Sequence, residues 1–494
     1  MVSTDVVLIK PNDKKNVYGT IPGEYTAIDP PYWLALMGGY LRDEGINVVL
    51  LDAEHANEDP VETAKKVAAL KPKLVGILSI GSNLTACTWK MHGSGVLANA
   101  IKAENSDLPI FMWGQHVSAL PERTLKEETI DFVVVGEGFG TVLDLVKMLK
   151  QNEREFDKID GLWYKNGEAI NGNNRIQFIK DLDALPVDGW DLLEDNHYRN
   201  HQHFAFEDLS KRDRYGCIMT SLGCPYQCTY CAICRFSGEK NIRYKSPERA
   251  IEEVDYWVKK HNVYYLRVYD ECFTFNKEHV HRFCDLLIER GYKLSLWINA
   301  RTDLVDEELL AKMYKAGVRW IGYGFESGSK KIRGLVKKDQ YTIDQIKRCV
   351  KITHDAGISI CSNFMFGLPD DDYETMQDSL DLAKELCCEY PNLYCTMPYP
   401  GSKLYTDCVR DGVELPDSWL GYTQLGYECH PMATKYLTAK EVLAFRDKAF
   451  DEFFKDNDAY FENLYCKFGE EPVKLVKGML GHKLKRRLLE EDNQ

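Results

Sequence analysis

The sequence predicts an α/β protein in which two strand–helix series follow one another, with a mainly helical segment after them. Short apolar runs alternate with amphipathic stretches as far as residue 150, and the same alternation starts again at Arg214. A third observation marks the second series: cysteines 224, 228, 231 and 234 crowd into the segment that follows its first strand. At 494 residues the chain is long enough for two or three domains with cores of their own.

In the first series, Val6–Ile9, Val48–Leu51, Leu74–Ile80, Ile110–Trp113 and Phe132–Val135 read as strands buried on both faces. Helical patterns near Tyr32–Asp43, Val61–Leu70, Thr88–Ala103, Glu122–Glu127 and Gly140–Leu149 separate them. This repetition predicts a doubly wound, Rossmann-like sheet over residues 1–150, with its ligand beyond the carboxyl ends of the strands. Small and polar residues stand at those ends: Gly81, Ser82 and Asn83; Gly114, Gln115 and His116; Gly136, Glu137 and Gly138. Glycine there lets a large ligand approach the backbone. No G-x-G-x-x-G opens the first helix, so a dinucleotide is not indicated.

Residues 151–213 read as a connector. Asn166-Gly167, between Leu162-Trp-Tyr164 and Ala169-Ile170, is a hairpin signal. Asp183–Leu193 reads as an irregular strap leading to His197, His201 and His203. Metal binding by these histidines is outweighed by a solvated reading, because the loop is rich in charge and lacks further ligands at a recognisable spacing.

In the second series, residues 214–402, strands are expected at Gly216–Thr220, Tyr264–Tyr269, Leu294–Ile298, Trp320–Phe325, Ser359–Phe366 and Tyr394–Met397. Helices are expected at Pro247–Lys260, Lys277–Arg290, Asp306–Ala316, Ile343–Ala356 and Tyr373–Glu385, several of them followed by glycine. Six strands are too few for a closed barrel of eight, whose active residues gather at the carboxyl ends of its strands. Residues 403–494 contain Gly421-Tyr422, Tyr427-Glu-Cys-His-Pro431 and a helical pattern near Ala439–Phe454. With Pro398-Tyr-Pro-Gly-Ser402 before them, they read as a cap over the open side of the barrel that contributes to a substrate pocket.

Cys224-x-x-x-Cys228-x-x-Cys231 carries the chemistry. Soft thiolates at short spacing hold iron–sulfur clusters or zinc. With Cys234 they could make a structural zinc site, but zinc ribbons pair two short hairpins across a longer loop, and no distant partner pair is evident. A cubane on three thiolates leaves one iron open to a substrate. A fourth thiolate would close it, so Cys234 is read as a bystander.

Composition narrows the function classes. A net charge of −14 argues against nucleic acid as the main partner. No run of eighteen apolar residues is present, so no membrane span is expected. The N-terminal residues read as a strand rather than a signal peptide. Sixteen cysteines without such a signal suggest reduced thiols and a cytoplasmic location. The basic tract Lys483, Lys485, Arg486 and Arg487 reads as the solvated face of a last helix.

The cysteine motif resembles that of the radical S-adenosylmethionine enzymes, and the later strand ends agree with it in order: Tyr269-Asp-Glu-Cys-Phe-Thr-Phe275, Asn299-Ala-Arg301, Gly324-Phe-Glu-Ser-Gly328 and Phe366-Gly-Leu-Pro369. The resemblance implies an open six-stranded partial barrel with a 4Fe–4S cluster on Cys224, Cys228 and Cys231. It also implies S-adenosylmethionine contacts from Tyr230, Asp270, Asn299, Arg301, Glu326 and Gly367. Asp270, with Glu271, would hold the amino group, Arg301 the carboxylate, and Glu326 the ribose hydroxyls or the ammonium. Gly367 and Tyr230 would lie near adenine.

The upstream domain resembles the cobalamin-binding domain fused to many of these enzymes, through Pro30-Pro31, Gly114-Gln-His-Val-Ser-Ala-Leu-Pro121 and Val135-Gly-Glu-Gly138. This implies cobalamin bordered by Ser82, Asn83, Gly114, His116, Gly136, Glu137 and Gly138. The chain lacks the Asp-x-His-x-x-Gly motif that supplies a histidine to cobalt, and Asp52-x-x-His55 has the wrong spacing and place. His116 is read equally as pocket wall or structural residue.

Together these resemblances imply a cobalamin-dependent radical S-adenosylmethionine methyltransferase of the class B type, with methylcobalamin donating to an unactivated carbon of a small molecule. Its reductant would be a donor such as flavodoxin or ferredoxin. An oxidative cyclase or rearrangement enzyme with the same domains is the alternative, and a cobalamin-responsive regulator is a more distant one. A methylthiotransferase would need three more cluster cysteines upstream, where residues 1–200 hold only Cys87.

Overall fold

The protein is described by a computed structural model covering residues 4–81, 83–194, 197–238, 240–455 and 457–490. The five apolar runs of the first series form parallel strands β1 (Val6–Lys10), β2 (Val48–Asp52), β3 (Leu74–Leu78), β4 (Ile110–Trp113) and β5 (Phe132–Val134). Alternate side chains feed two cores. Val7, Ile9, Val75 and Ile77 pack with Val67, Leu97 and Ile101 on one face. Val6 and Leu8 face the other way, into a core that includes Trp33 and Met37 and runs unbroken into the second domain.

These parallel strands stand in the order β2-β1-β3-β4-β5. The order reverses between β1 and β3, where a doubly wound sheet opens a crevice. The connector hairpin is part of this sheet. β6 (Leu162–Asn166) pairs antiparallel with β5, and β7 (Ala169–Gly172) closes the edge.

The second series forms a six-stranded parallel sheet of β8 (Tyr215–Ile218), β11 (Tyr265–Val268), β12 (Ser295–Ala300), β13 (Val318–Glu326), β14 (Ser359–Phe366) and β15 (Tyr390–Cys395), in the order β15-β14-β13-β12-β11-β8. Its helices start on side-chain caps from Ser246, Asn276, Asp306, Thr342 and Asp372. β15 starts four residues before the expected Tyr394. Pro391 obscures the pattern there, and an edge strand tolerates it. A two-stranded ribbon of β9 (Ser221–Gly223) and β10 (Ile242–Tyr244) lies between β8 and β11 in sequence; the sequence reading did not anticipate it.

Two expectations of solvation are corrected. Residues 202–205 plug the amino end of the barrel: the His203 ring stacks on Tyr390 at 3.8 Å and Phe204 on Trp297 at 3.7 Å. Burial drives His203 well below the usual histidine range, so it is neutral. His197 alone of the three is exposed. Arg486, taken for a solvated face, is buried and paired with Asp447 at 3.1 Å, with its Nη1 donating to the carbonyls of Gln424 and Gly426.

The segment after the barrel divides in two. Trp419–Tyr422 reaches the first domain, where Trp419 meets the His116 ring edge-on at 4.5 Å. The long helix Ala439–Lys455 lies along β15, with Arg446 Nε donating to the Leu393 carbonyl at 2.8 Å. Helix Asp458–Phe468 reaches the amino end of the barrel, where Tyr460 donates to the Glu389 carbonyl at 2.9 Å.

Candidate active site

The cysteine loop leaves β8 at the carboxyl end of the barrel and is fixed from below by Asp270, the residue just past β11. The carboxylate of this fully buried residue accepts from Thr220 N at 2.7 Å, Thr220 Oγ1 at 2.6 Å and Ser221 Oγ at 2.5 Å. Asp270 therefore anchors the loop, in place of the ammonium contact expected from its position. Neighbouring Glu271 accepts from Gly223 N at 3.2 Å, and burial, then Asp270, pushes its carboxyl up to about 8. Gly223 turns the chain into the loop at φ +99°, where an added Cβ would lie 2.1 Å from the Asn241 carbonyl oxygen. No side chain fits there.

From above, the loop is gripped by the strand ends of the first domain. Past β3, Thr85 Oγ1 lies 3.3 Å from Cys231 Sγ. Past β4, Gln115 Nε2 donates to the Ala232 carbonyl at 3.3 Å and the Pro400 carbonyl at 2.8 Å. Past β5, the fully buried Glu137 forms a two-pronged ion pair with Arg243 of β10 and accepts from Ile179 N at 3.0 Å. Three consecutive turns thus hold the cysteine loop and its return strand.

Most of the residues expected to border cobalamin also make contacts within the protein. Asn83 accepts from Thr85 N at 2.9 Å and caps the turn Leu84–Ala86. The spaces beside Gly114, Gly136 and Gly138 are filled by Ser79, Ile176 and Val134, so these glycines accommodate the protein's own packing. His116 is buried, with Nδ1 3.1 Å from Thr88 Oγ1. Burial, then Arg123, lowers its imidazole to about 3, which favours the structural reading. His55 Nε2 is 2.9 Å from the His197 carbonyl, on the exposed side of the strap. Ser82 lies outside the described residues.

The three motif thiols are free and half-buried. Burial pushes the Cys231 thiol up to about 12, with Thr85 opposing the rise, and burial also raises that of Cys224. Among the described residues, no three His, Cys, Asp or Glu side chains converge as one metal ion requires. A four-iron cluster takes one thiolate per iron and spreads its ligands more widely, so free thiols on a pinned loop fit it.

Around the same mouth, the expected S-adenosylmethionine residues converge. Tyr230, between two motif cysteines, donates to Glu326 Oε1 at 2.7 Å, and Lys338 Nζ donates to the same oxygen at 3.0 Å. Among the described residues Glu326 Oε2 receives no hydrogen bond, which leaves it for a ligand. Glu326 ends β13 at φ +64°, an uncommon backbone state for glutamate, beside a register shift against β14.

Arg301 follows β12. Its fork is taken by Asp303, with Nε and Nη2 at 2.9 and 3.0 Å, and its plane lies 3.7 Å from the ring centre of Tyr226 in the cysteine loop. Nη1 is buried without a partner, an orphan donor suited to one carboxylate oxygen. Asn299 Nδ2 reaches the Asp270 carbonyl at 3.3 Å. Gly367, at φ +82°, donates its N–H to Asp371 at 3.1 Å. Burial pushes the Asp371 carboxyl up to about 6. Sequence reasoning missed Lys338, Asp303, Asp371 and Thr85. Each acts through a partner that the strand-end motifs do not reveal.

Between the two domains, at the reversal of strand order, lies an open cleft. Its walls include Tyr18, Trp33, Ile80, Gly81 and Trp89 of the first domain and Tyr269 of the barrel. This mixture of rings and polar groups suits a flat macrocycle with amide arms. In the cleft wall the buried Lys10 pairs with Glu54 at 3.0 Å, and Lys90 pairs with the other Glu54 oxygen.

The model for the Radical SAM superfamily matches residues 218–383, and that for the B12 binding domain matches residues 23–146. The chain belongs to the radical S-adenosylmethionine enzymes that carry a cobalamin-binding domain. Its cofactors are therefore a 4Fe–4S cluster, S-adenosylmethionine and cobalamin. An uncharacterised methyltransferase of Pyrococcus horikoshii is 27% identical over 91% of this chain and 93% of its own length. An anaerobic magnesium-protoporphyrin IX monomethyl ester cyclase of Rubrivivax gelatinosus is 28% identical over 83% of this chain and 71% of its own. The fold is shared with the radical S-adenosylmethionine methyltransferase TsrM of Kitasatospora setae, at a TM-score of 0.70 and 16% identity over 92% of this chain and 90% of that one. Among the described residues no helix is long and apolar enough to cross a membrane.

Proposed function

We propose that this cobalamin-dependent radical S-adenosylmethionine enzyme transfers a methyl group to an unactivated carbon of a small molecule. The observation that carries the reading is the barrel mouth. Three free thiols, the orphan Nη1 of Arg301 and the unbonded Oε2 of Glu326 gather there, beside the interdomain cleft. When bound, the cluster supplies the electron that cleaves S-adenosylmethionine, and cobalamin carries the methyl group.

The chain's residues bind, orient and shield. Cys224, Cys228 and Cys231 would ligate the cluster, and Cys234 would stay outside it. Arg301 Nη1 would take the carboxylate of S-adenosylmethionine, and Glu326 Oε2 its ammonium or ribose. Tyr230, Asn299 and Gly367 would border the rest, while Asp270 fixes the loop. Tyr18, Trp33, Ile80, Gly81 and Trp89 would hold cobalamin, with no histidine on cobalt. The plug at His203 and Phe204 closes the far end of the barrel against water. We place the protein in the reducing cytoplasm with a donor such as flavodoxin or ferredoxin, in keeping with its reduced thiols.

Methyl-labelled S-adenosylmethionine, supplied with cobalamin, reductant and fractionated metabolites, tests the reaction. Labelled product with 5′-deoxyadenosine and S-adenosylhomocysteine in comparable amounts is expected. Unlabelled product with 5′-deoxyadenosine alone would favour oxidative cyclisation, the reading supported by the likeness to the cyclase.

A further inference from the structure

Among the described residues, Thr85 brings the first domain into side-chain contact with a motif thiol, its Oγ1 lying 3.3 Å from Cys231 Sγ. It sits on a built turn. Asn83 Oδ1 accepts from Thr85 N at 2.9 Å, and Cys87 Sγ donates to the carbonyls of Asn83 and Leu84 at 3.2 and 3.0 Å. Gly81, Trp89 and Lys90, on either side of this turn, line the interdomain cleft. The turn therefore borders the cleft and touches a motif sulfur. A hydroxyl can donate, and a metal-bound thiolate can only accept, so the direction of the bond is fixed once Cys231 carries iron.

We propose that Thr85 donates a hydrogen bond to the cluster-ligating sulfur of Cys231 and raises the reduction potential of the cluster. This rests on the reading of Cys231 as a ligand. Reduction adds negative charge that is shared with the sulfurs, and a donor to sulfur favours the charged state. Thr85 is thus a positioning residue that couples the turn beside the cleft to the electron supply at the barrel mouth.

Potentiometric titration of the anaerobically reconstituted full-length protein, followed by electron paramagnetic resonance of the reduced cluster, tests this. Thr85→Val keeps the shape and removes the donor. At the wild-type midpoint it should lower the ratio of reduced to oxidised cluster about tenfold, a 59 mV shift for one electron. Thr85→Ser, which keeps the hydroxyl, should titrate like the wild type. An unchanged potential in Thr85→Val overturns the proposal, as does an equal shift in both variants, which would mark a packing effect. If Thr85→Val fails to load iron, Asn83→Ala releases the turn while keeping Thr85; it should shift the same way, and an unchanged potential there also overturns the proposal. Cys231→Ala separates the two readings. Full iron in that variant would remove Cys231 as a ligand, whatever Thr85 does.

Discussion

Glu137 offers the sharpest perturbation of the interdomain grip. Its carboxylate is fully buried, pairs two-pronged with Arg243 of the ribbon and accepts from Ile179 N. Glu137→Ala would leave the Arg243 guanidinium, whose side chain is 12% exposed, without its counter-charge. Breaking a buried pair from one side costs about 3–5 kcal/mol. The unpaired Ile179 N–H adds about 1 kcal/mol. Because β10 pairs with β9 directly before Cys224, the loss should reach the cluster. Glu137→Ala should unfold at lower urea by tryptophan fluorescence and retain less iron after gel filtration. Glu137→Gln keeps an acceptor for Ile179 and should fall between. Wild-type iron content and an unchanged urea midpoint in Glu137→Ala would refute the grip.

Glu54 gives the pH dependence. Burial alone would raise its carboxyl, but Lys10 and Lys90 hold it at about 2, below its ordinary 4.5. A depressed carboxylate stabilises above its unfolded value and loses that contribution as pH falls toward the folded one. Between pH 4.5 and 2 the protein should therefore lose about 3 kcal/mol that Glu54→Gln never had, read from acid unfolding of both proteins. Parallel acid curves would count against this assignment. At the mouth, Lys338→Met removes one of the two donors to Glu326 and should weaken S-adenosylmethionine binding at least tenfold with iron retained, measured by equilibrium dialysis. An unchanged dissociation constant would place Glu326 away from the ligand.

Much of the architecture was legible because of how buried parallel strands are written. Runs such as Val6–Ile9 and Ile110–Trp113 are apolar on both faces, so they stand out without knowledge of their partners. The cysteine motif is equally local: four thiols in one short segment mark a metal or cluster site without knowledge of any distant partner, and the resemblance implies which. What stayed hidden depends on distant partners. Glu137 and Gln115 look like ligand-facing residues at strand ends, yet their partners Arg243 and Pro400 lie 106 and 285 residues away. His203 stands in a charged segment, but the aromatic rings that bury it come from strands far along the chain. The β9–β10 ribbon has only three residues per strand, too short for a periodic signal. The strand-end glycines suggest open room, yet the atoms nearest Gly136 and Gly138 belong to Ile176 and Val134, whose closeness the sequence does not show.

The central claim is that Cys224, Cys228 and Cys231 alone hold a cluster that cleaves S-adenosylmethionine at the barrel mouth. Single alanine variants at these positions and at Cys234 should be reconstituted anaerobically, assayed for iron and given S-adenosylmethionine with dithionite. The account predicts that wild type and Cys234→Ala bind about four irons and release 5′-deoxyadenosine, while each of the other three variants loses that activity and most of its iron. Full iron and 5′-deoxyadenosine formation in Cys228→Ala, or their loss only in Cys234→Ala, would contradict it.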